Sequence, residues 1–113
     1  MKIPGAELAV VEPEKVRDYL VSSTHPVGKF KSVFFASLGY TEANWAELQR
    51  DLLVIVRSRA AVEGKFSRFG NKYEVSATLT GASGKSAVVA TVWIVKHGET
   101  TPRFVTAYPG ETL

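Results

Sequence analysis

The spacing of apolar residues changes once along the chain, from a helical period to the alternation typical of strands. In the first half, apolar residues recur every three or four positions, which places them on one face of a helix. From residue 72 onward they alternate with polar residues or form β-branched runs. The pattern predicts a helical half over about 12–61 and an antiparallel sheet over about 65–109.

Three helices are predicted in the helical half. The first begins near Pro13 and the second at Pro26, because proline fits the first turn of a helix. Gly39 ends the second helix and Thr41 caps the third, although Asn44 is a poor substitute for the glutamate of a capping box. The expected apolar stripes are Val16, Tyr19 and Leu20; then Val27, Phe30, Phe34 and Leu38, widened by Val33 and Phe35; then Trp45, Leu48, Leu52 and Ile55.

Three strands are predicted after the helices, with residues 65–69 as a further candidate. Residues 72–80 alternate strictly, whereas residues 86–95 are nearly all apolar and suit a central strand covered on both faces. Residues 103–108 form the last strand. The result is an α+β fold with N-terminal helices packed on one face of a three- or four-stranded antiparallel sheet, in a single domain over residues 1–113. The predicted core is Phe30, Phe34, Trp45, Leu48, Leu52, Val75, Leu79, Val92 and Ile94.

Composition narrows the chemistry without assigning it. The 113 residues include no cysteine, which excludes disulfides, zinc–thiolate sites and a cysteine nucleophile. Fourteen basic and eleven acidic side chains give a net charge of +3, and the excess is local: the stretch from Gly64 to Lys85 holds Lys65, Arg68, Lys72 and Lys85 against Glu74 alone. This stretch forms either a solvated strand face and loop or a surface that binds RNA, DNA or phosphate.

Familiar catalytic and targeting motifs are absent from the sequence. There is no Walker A loop, no dinucleotide fingerprint and no zinc-protease motif, and the two histidines are far apart, so we expect no cofactor and no metal. The chain shows neither a signal peptide nor an apolar run long enough to cross a membrane. We therefore expect a cytoplasmic protein without a membrane partner.

His25 stands at the predicted start of the second helix, and two interpretations of it stay open. It can cap the helix or lie on the surface, or it can form an anion site, since a helix N-terminus with a titratable imidazole attracts negative charge. Lys29 lies one helical turn further on. Lys31 projects about 200° away from Lys29 on a helix, so Lys29 is the better candidate to join His25.

The segment from Arg103 to Pro109 is the most informative part of the sequence. On a regular strand, Arg103 points to one face, whereas Thr106 and Tyr108 point to the other. The segment is either a core strand with a polar rim or a strand that binds a phosphodiester. In the second case Arg103 donates a bidentate pair of hydrogen bonds to phosphate oxygens, and Thr106 or Tyr108 donates further hydrogen bonds.

The sequence resembles two known groups of proteins. A small bacterial domain family of unknown function is similar in three segments, which read His25-Pro-Val-Gly-Lys-Phe-Lys-Ser-Val-Phe-Phe with Leu-Gly-Tyr40, Thr91-Val-Trp-Ile-Val, and Arg103-Phe-Val-Thr-Ala-Tyr-Pro109. More loosely, the order of elements and the terminal Thr-Ala-Tyr-Pro resemble the barnase–EndoU–colicin–RelE superfamily of ribonuclease toxins. Those toxins pair N-terminal helices with a four-stranded antiparallel sheet and cleave RNA on its concave face.

The second resemblance implies a metal-independent ribonuclease, the toxin half of a bacterial two-gene or phage-derived module. Such cleavage needs a base, an acid and cations that stabilise the phosphorane. The implied catalytic residues are His25, Lys29, Arg103, Thr106 and Tyr108, and the implied substrate-binding residues are Lys65, Arg68, Lys72 and Trp93. In particular, we expect His25 and Arg103 to share one pocket. RNA and a small cognate antitoxin or immunity protein are the expected partners.

Two other classes of function stay open. One is a non-catalytic binding, immunity or adaptor module, in which Tyr73, Trp93 and Tyr108 contact a partner. The other is a structural protein of a phage-derived locus. A nuclease gathers cations on one sheet face, whereas a binding module exposes a contiguous apolar patch.

Overall fold

The computed structural model of the chain describes residues 1–110, except for the side chain of Phe30. The predicted core position of Phe30 therefore lies outside the described residues. Helix α1 spans Pro13–Lys15 and continues as a π-helical turn over Val16–Leu20. Helix α2 spans Lys29–Leu38, and helix α3 spans Trp45–Ser58 after a 3-10 turn.

The second half of the chain is a four-stranded antiparallel sheet, as predicted. Its strands are β1 (Val62–Ser67), β2 (Gly70–Thr80), β3 (Ser86–Lys96) and β4 (Arg103–Pro109). They lie side by side in chain order, so each neighbouring pair is joined by one short connection. The helices precede the sheet, and the α+β fold class is confirmed.

The face of the sheet that carries Val75, Val89 and Trp93 packs against the helices in one apolar core, and we call it the inner face. Leu48 and Leu52 of α3 are fully buried in the same core. Of the other predicted core residues, Val75 and Leu79 are buried, whereas Phe34 and Trp45 are half-buried at the margin.

The prediction that β3 is covered on both faces is wrong. Val89 and Trp93 are buried on the inner face, but Val92 and Ile94 point to the opposite, outer face and are only half-buried. Val92 and Ile94 therefore do not belong to the core, although Ala90 of the same face is buried.

Helix α2 differs from its prediction in start and orientation. It begins at Lys29 rather than at Pro26, because residues 25–28 form a turn. Its inward side chains include Phe35 and Leu38, whereas Val27 and Val33 are 58 % and 72 % exposed.

Both predicted signals at the junction between α2 and α3 are confirmed. Gly39 ends α2 with a φ of 100°, a left-handed conformation that glycine adopts without a Cβ clash. The Asn44 side-chain oxygen accepts a hydrogen bond from the Thr41 backbone N–H over 2.6 Å and completes a capping box. Asn44 is thus a working partner of Thr41.

The register of β4 changes at Val105. Phe104 pairs with Trp93 and Thr106 pairs with Val92, so Val105 has no partner in β3 and forms a bulge. The predicted strict alternation is therefore wrong. By register Arg103, Thr106 and Tyr108 all lie opposite outer-face residues of β3, while Phe104 and Ala107 are buried on the inner face.

The N-terminal segment contributes to the core, which the sequence did not predict. Four of its small or aliphatic side chains are buried: Ile3, Ala6, Ala9 and Val11. Val10 forms a parallel bridge with Arg103, and the two backbones exchange hydrogen bonds around Pro102 and Phe104. The segment thereby covers the first residues of the β4 edge.

Candidate functional site

An open cleft of about 660 Å3 lies at the β4 edge of the sheet, and we call it the edge cleft. Tyr19 of the π-helical turn, His25 of the turn before α2, Lys31 of α2 and Thr106 of β4 all line it. Two of the residues predicted from sequence, His25 and Thr106, are therefore brought together. Tyr19 and Lys31 add a phenol and an ammonium group to the same cleft.

Lys31 is the centre of the edge cleft. Its Nζ donates a hydrogen bond to the Thr106 hydroxyl over 2.6 Å and a second one to the Ala107 carbonyl over 3.2 Å. The same ammonium lies 5.3 Å from the ring centroid of Tyr19 and 5.9 Å from that of Tyr108. These contacts hold a positive charge at a fixed place where the cleft meets the outer face.

Tyr19 has the properties of an activated phenol. Its hydroxyl lies 3.4 Å from the Thr106 hydroxyl. Burial raises its pKa, but hydrogen bonds with Thr106 and Lys31, together with the charges of Lys31 and Lys15, lower it by more in total. The pKa of Tyr19 thus lies below the ordinary value for tyrosine, so the phenolate forms more readily here than in a free tyrosine.

His25 caps the turn that leads into α2. Its Nδ1 accepts hydrogen bonds from the backbone N–H groups of Val27, at 3.0 Å, and Gly28, at 2.8 Å. Because Nδ1 is an acceptor, the hydrogen of the neutral ring is on Nε2. The ring packs edge-on against Tyr19, with centroids 5.1 Å apart. His25 therefore presents an Nε2–H donor beside the phenol.

Gly28 allows the turn and the first helical segment to approach closely. A Cβ built on Gly28 would stand 2.0 Å from the backbone oxygen of Tyr19, a severe overlap. The residue is buried and its φ is an ordinary −63°. Glycine is required at position 28 because a side chain would not fit, and not because of the backbone conformation. The close approach that glycine allows brings His25 next to Tyr19.

A second and larger cavity, about 750 Å3, lies on the outer face of the sheet, and we call it the sheet-face cavity. Val88 and Ala90 of β3 line it together with Glu74 of β2 and Tyr108 of β4. The Tyr108 hydroxyl donates a hydrogen bond to Glu74 Oε1 over 3.1 Å. Burial raises the pKa of Tyr108, and the hydrogen bond and negative charge of Glu74 raise it further.

The two cavities adjoin at Lys31 and Tyr108. Lys31 lines the edge cleft and Tyr108 lines the sheet-face cavity, and their side chains are in cation–π contact. Of the five catalytic candidates predicted from sequence, the structure thus groups three: His25, Thr106 and Tyr108.

Arg103 lies outside this group. Its guanidinium pairs with Glu12 at 3.5 Å and with Glu99 at 3.4 Å, and it is not among the residues lining either cavity. Both partners are carboxylates, and each accepts one hydrogen bond from the guanidinium. The predicted pocket shared by Arg103 and His25 is not formed by the edge cleft.

The sequence predicts that Lys29 rather than Lys31 joins His25, but the structure places Lys31 in the edge cleft beside His25. The Lys29 N–H donates a helical hydrogen bond to the His25 carbonyl over 3.0 Å. Lys29 is exposed, and Lys31 points into the cleft. Tyr19 belongs to a predicted apolar stripe, and no sequence signal marks its phenol.

The four predicted substrate-binding residues separate into an exposed basic group and a buried tryptophan. Lys65 and Arg68 are exposed on the β1–β2 hairpin, where the Arg68 guanidinium lies 5.0 Å from the Phe69 ring centroid. Lys72 is exposed on the outer face, in the same row as Glu74. Trp93 is fully buried and donates its indole N–H to the Thr91 hydroxyl over 2.8 Å.

The assignment of Trp93 to substrate binding is therefore corrected, because its ring has no exposed surface. Tyr73 is also buried, so neither residue contacts a partner in the folded domain. The third aromatic residue expected to contact a partner, Tyr108, is accessible, with 38 % of its surface exposed.

Residues 1–110 contain neither a cluster of metal ligands nor a membrane-spanning helix. No group of three or more histidine, aspartate or glutamate side chains in this part of the chain converges as metal ligands would. None of the helices described above is both long and apolar enough to cross a membrane.

These features define an α+β domain with helices on one face of a four-stranded antiparallel sheet and an open cleft at the β4 edge. The chain belongs to the family described as "Domain of unknown function (DUF6883)", whose model matches residues 2–111. The predicted resemblance to a family of unknown function is thereby confirmed. No curated protein shows significant similarity to the chain.

The fold is similar to that of a solved structure. The similar chain is from a "Contact-dependent growth inhibition toxin - immunity protein complex from Klebsiella pneumoniae 342", with a TM-score of 0.71 and 16% sequence identity. The match covers 96% of this chain and 98% of that chain. At this level of identity the likeness establishes a common fold along nearly the whole of both chains.

Proposed function

We propose that this protein is a metal-independent ribonuclease, the toxin of a toxin–immunity module, and that the edge cleft is its active site. The observation that carries the proposal is the fixed contact of Lys31 with Thr106 beside Tyr19 and His25. A cation, a phenol with a lowered pKa and an imidazole N–H donor then face one solvent-filled space. These are the groups that metal-free cleavage of a phosphodiester uses.

The cleavage step assigns one role to each group. The Tyr19 phenolate removes the proton of the RNA 2′-hydroxyl, whose oxygen attacks phosphorus and forms a 2′,3′-cyclic phosphate. The phosphorus–O5′ bond breaks, and Lys31 gives a proton to the departing O5′. His25 donates its Nε2–H to a phosphoryl oxygen, and Thr106 orients Lys31. His25 is thus a hydrogen-bond donor in this step.

The comparison with known structures supports the biological context of this proposal. The structurally similar chain comes from a complex between a growth inhibition toxin and its immunity protein. We therefore propose a small immunity protein as the partner of this chain.

Four variants test the active site. We expect Lys31→Met and Tyr19→Phe each to slow cleavage of a labelled RNA about 100-fold or more in the presence of a chelator. His25→Asn keeps an oxygen that accepts the cap hydrogen bonds and should slow cleavage at least about tenfold. Lys85→Met removes a positive charge from an exposed residue of the β2–β3 turn and should leave cleavage unchanged. Equal rates in all four variants would exclude the edge cleft.

The exposed basic residues of the β1–β2 hairpin are proposed to hold the RNA backbone. Replacing Lys65, Arg68 and Lys72 together should weaken binding of a single-stranded RNA and flatten its dependence on salt. Each lost phosphate contact lowers the slope of log K against log salt by about 0.7. An unchanged slope would show that these residues are a solvated strand face.

A non-catalytic immunity or binding module is the second candidate. The observation that favours it is the exposure of three apolar side chains on and beside the sheet-edge strand β1: Val62 at 71 %, Phe66 at 75 % and Phe69 at 64 %. Open apolar edge strands invite pairing with another chain. Expression in bacteria separates the candidates, because a ribonuclease toxin stops growth whereas an immunity protein leaves growth normal.

A further inference from the structure

The sheet-face cavity has no part in the cleavage step, yet it is larger than the edge cleft and directly adjoins it. Its volume is within the range of small-molecule sites. Val88 and Ala90 line an apolar part, Ser76 and Thr78 add hydroxyls, and Tyr108 presents an accessible ring. An aromatic ring beside a flat apolar surface is what a nucleobase stacks on.

Glu74 gives this cavity a preference among bases. Its carboxylate is half-buried and accepts the Tyr108 hydrogen bond on Oε1. A carboxylate accepts hydrogen bonds and does not donate them, so it attracts an exocyclic amino group and repels a carbonyl.

Lys31 lies between the two cavities, and its distances to the Tyr19 and Tyr108 rings are no longer than one nucleotide. Its ammonium is in contact with the Tyr19 ring in the edge cleft and lies 5.9 Å from the Tyr108 ring centroid at the border of the sheet-face cavity. A phosphate held by Lys31 therefore places an adjoining base over Tyr108. This geometry joins a site for cleavage to a site for base recognition.

We propose that the sheet-face cavity binds an RNA base that carries an exocyclic amino group, and that Glu74 selects that amino group against the carbonyl of uracil. The inference rests on the proposed ribonuclease function. Tyr108 stacks on the base and holds Glu74 in place through its hydroxyl. Cytosine and uracil are the decisive pair, because they have the same size and differ at position 4 in an amino group against a carbonyl.

Binding is measured with short single-stranded oligonucleotides that contain 2′-deoxyribose and only cytosine or only uracil. These probes lack the attacking 2′-hydroxyl, so binding is recorded whether or not the chain cleaves RNA. We expect wild-type protein to bind the cytosine probe about tenfold more tightly than the uracil probe, as a good contact to a base edge allows. In Glu74→Gln, whose amide both donates and accepts, this preference should disappear.

Glu63→Gln is the matched control, since it removes the same charge from an exposed residue of the neighbouring strand β1. It should keep the preference for cytosine. Equal binding of both probes by wild-type protein, or a preference that survives Glu74→Gln, overturns the base site without affecting the ribonuclease proposal. A cytosine preference in a protein that leaves RNA intact overturns the ribonuclease proposal and leaves the base site standing.

Discussion

Lys31 of α2 and Thr106 of β4, 75 positions apart in sequence, are joined by a hydrogen bond of 2.6 Å from the ammonium to the hydroxyl. This contact ties the first turns of α2 to the edge strand of the sheet. It also fixes the charge around which Tyr19, His25 and Tyr108 are arranged.

The Lys31–Thr106 contact predicts coupling between the two residues. Thr106→Val removes the acceptor, so Lys31 loses its fixed position and RNA cleavage should fall about tenfold, whereas Thr106→Ser should retain it. In the double variant with Lys31→Met, the two losses should not add, because both remove the same interaction. Additive losses of cleavage rate would show that Thr106 acts independently of Lys31.

His25 is predicted to contribute to stability as well as to the site. His25→Ala removes the acceptor of two backbone hydrogen bonds and should lower the free energy of unfolding by about 1 kcal/mol, the usual cost of a lost cap. His25→Asn should restore most of that stability. Denaturant unfolding measures both variants, and equal stability of the alanine variant and wild type would contradict the capping role.

Arg103 is predicted to contribute little to the stability of the fold or to RNA cleavage. Its pairs with Glu12 and Glu99 are partly exposed, so Arg103→Ala should cost about 0–1 kcal/mol of stability. RNA cleavage should be unchanged, because the guanidinium lines neither cavity. A large loss of cleavage in a folded Arg103→Ala protein would instead support the shared phosphate site expected from the sequence.

Tyr40 predicts how stability responds to alkaline pH. Burial raises its pKa, and its hydrogen bond of 2.6 Å to Asp51 Oδ2, with the charge of that carboxylate, raises it further. The unfolded chain ionises near the ordinary value of 10.0. The stability from this group is therefore complete below pH 10 and is lost as the pH rises towards the folded-state pKa.

Tyr40→Phe removes the titrating group, so its free energy of unfolding should fall less than that of wild type above pH 10. At neutral pH the variant should be less stable by about 1.5–3 kcal/mol, the cost of a hydrogen bond to a charged group. The raised pKa of Tyr108 likewise lowers the free energy of unfolding at alkaline pH, whereas the lowered pKa of Tyr19 raises it. Parallel pH profiles for wild type and Tyr40→Phe would contradict this role of Tyr40.

The fold was predictable because periodicity is a local property. Leu48 and Leu52 repeat at helical spacing and are buried, and Val75 and Leu79 alternate and are buried. The outer face of β3 was not predictable, because a β-branched run looks the same whether or not a second layer covers it. Ile94 lies on that outer face and is half-buried.

The candidate site was only partly predictable, because it depends on how a helix packs on the sheet and where a strand bulges. The choice between Lys29 and Lys31 depends on the contact of Lys31 with distant Thr106, which the local pattern does not show. The unpaired Val105 moves Thr106 and Tyr108 relative to Arg103, and no residue type in this segment signals a bulge. Tyr19 becomes a site residue only through contacts with distant Thr106 and Lys31.

The proposed ribonuclease activity is tested most directly by the products that the purified protein makes from RNA in a chelator-containing buffer. We predict cleavage of a single-stranded RNA to fragments with 2′,3′-cyclic phosphate and 5′-hydroxyl ends, and no cleavage of the DNA of the same sequence, because the attacking group is the 2′-hydroxyl. RNA that stays intact at a molar excess of protein, or DNA that is cut as fast as RNA, would contradict the proposed function.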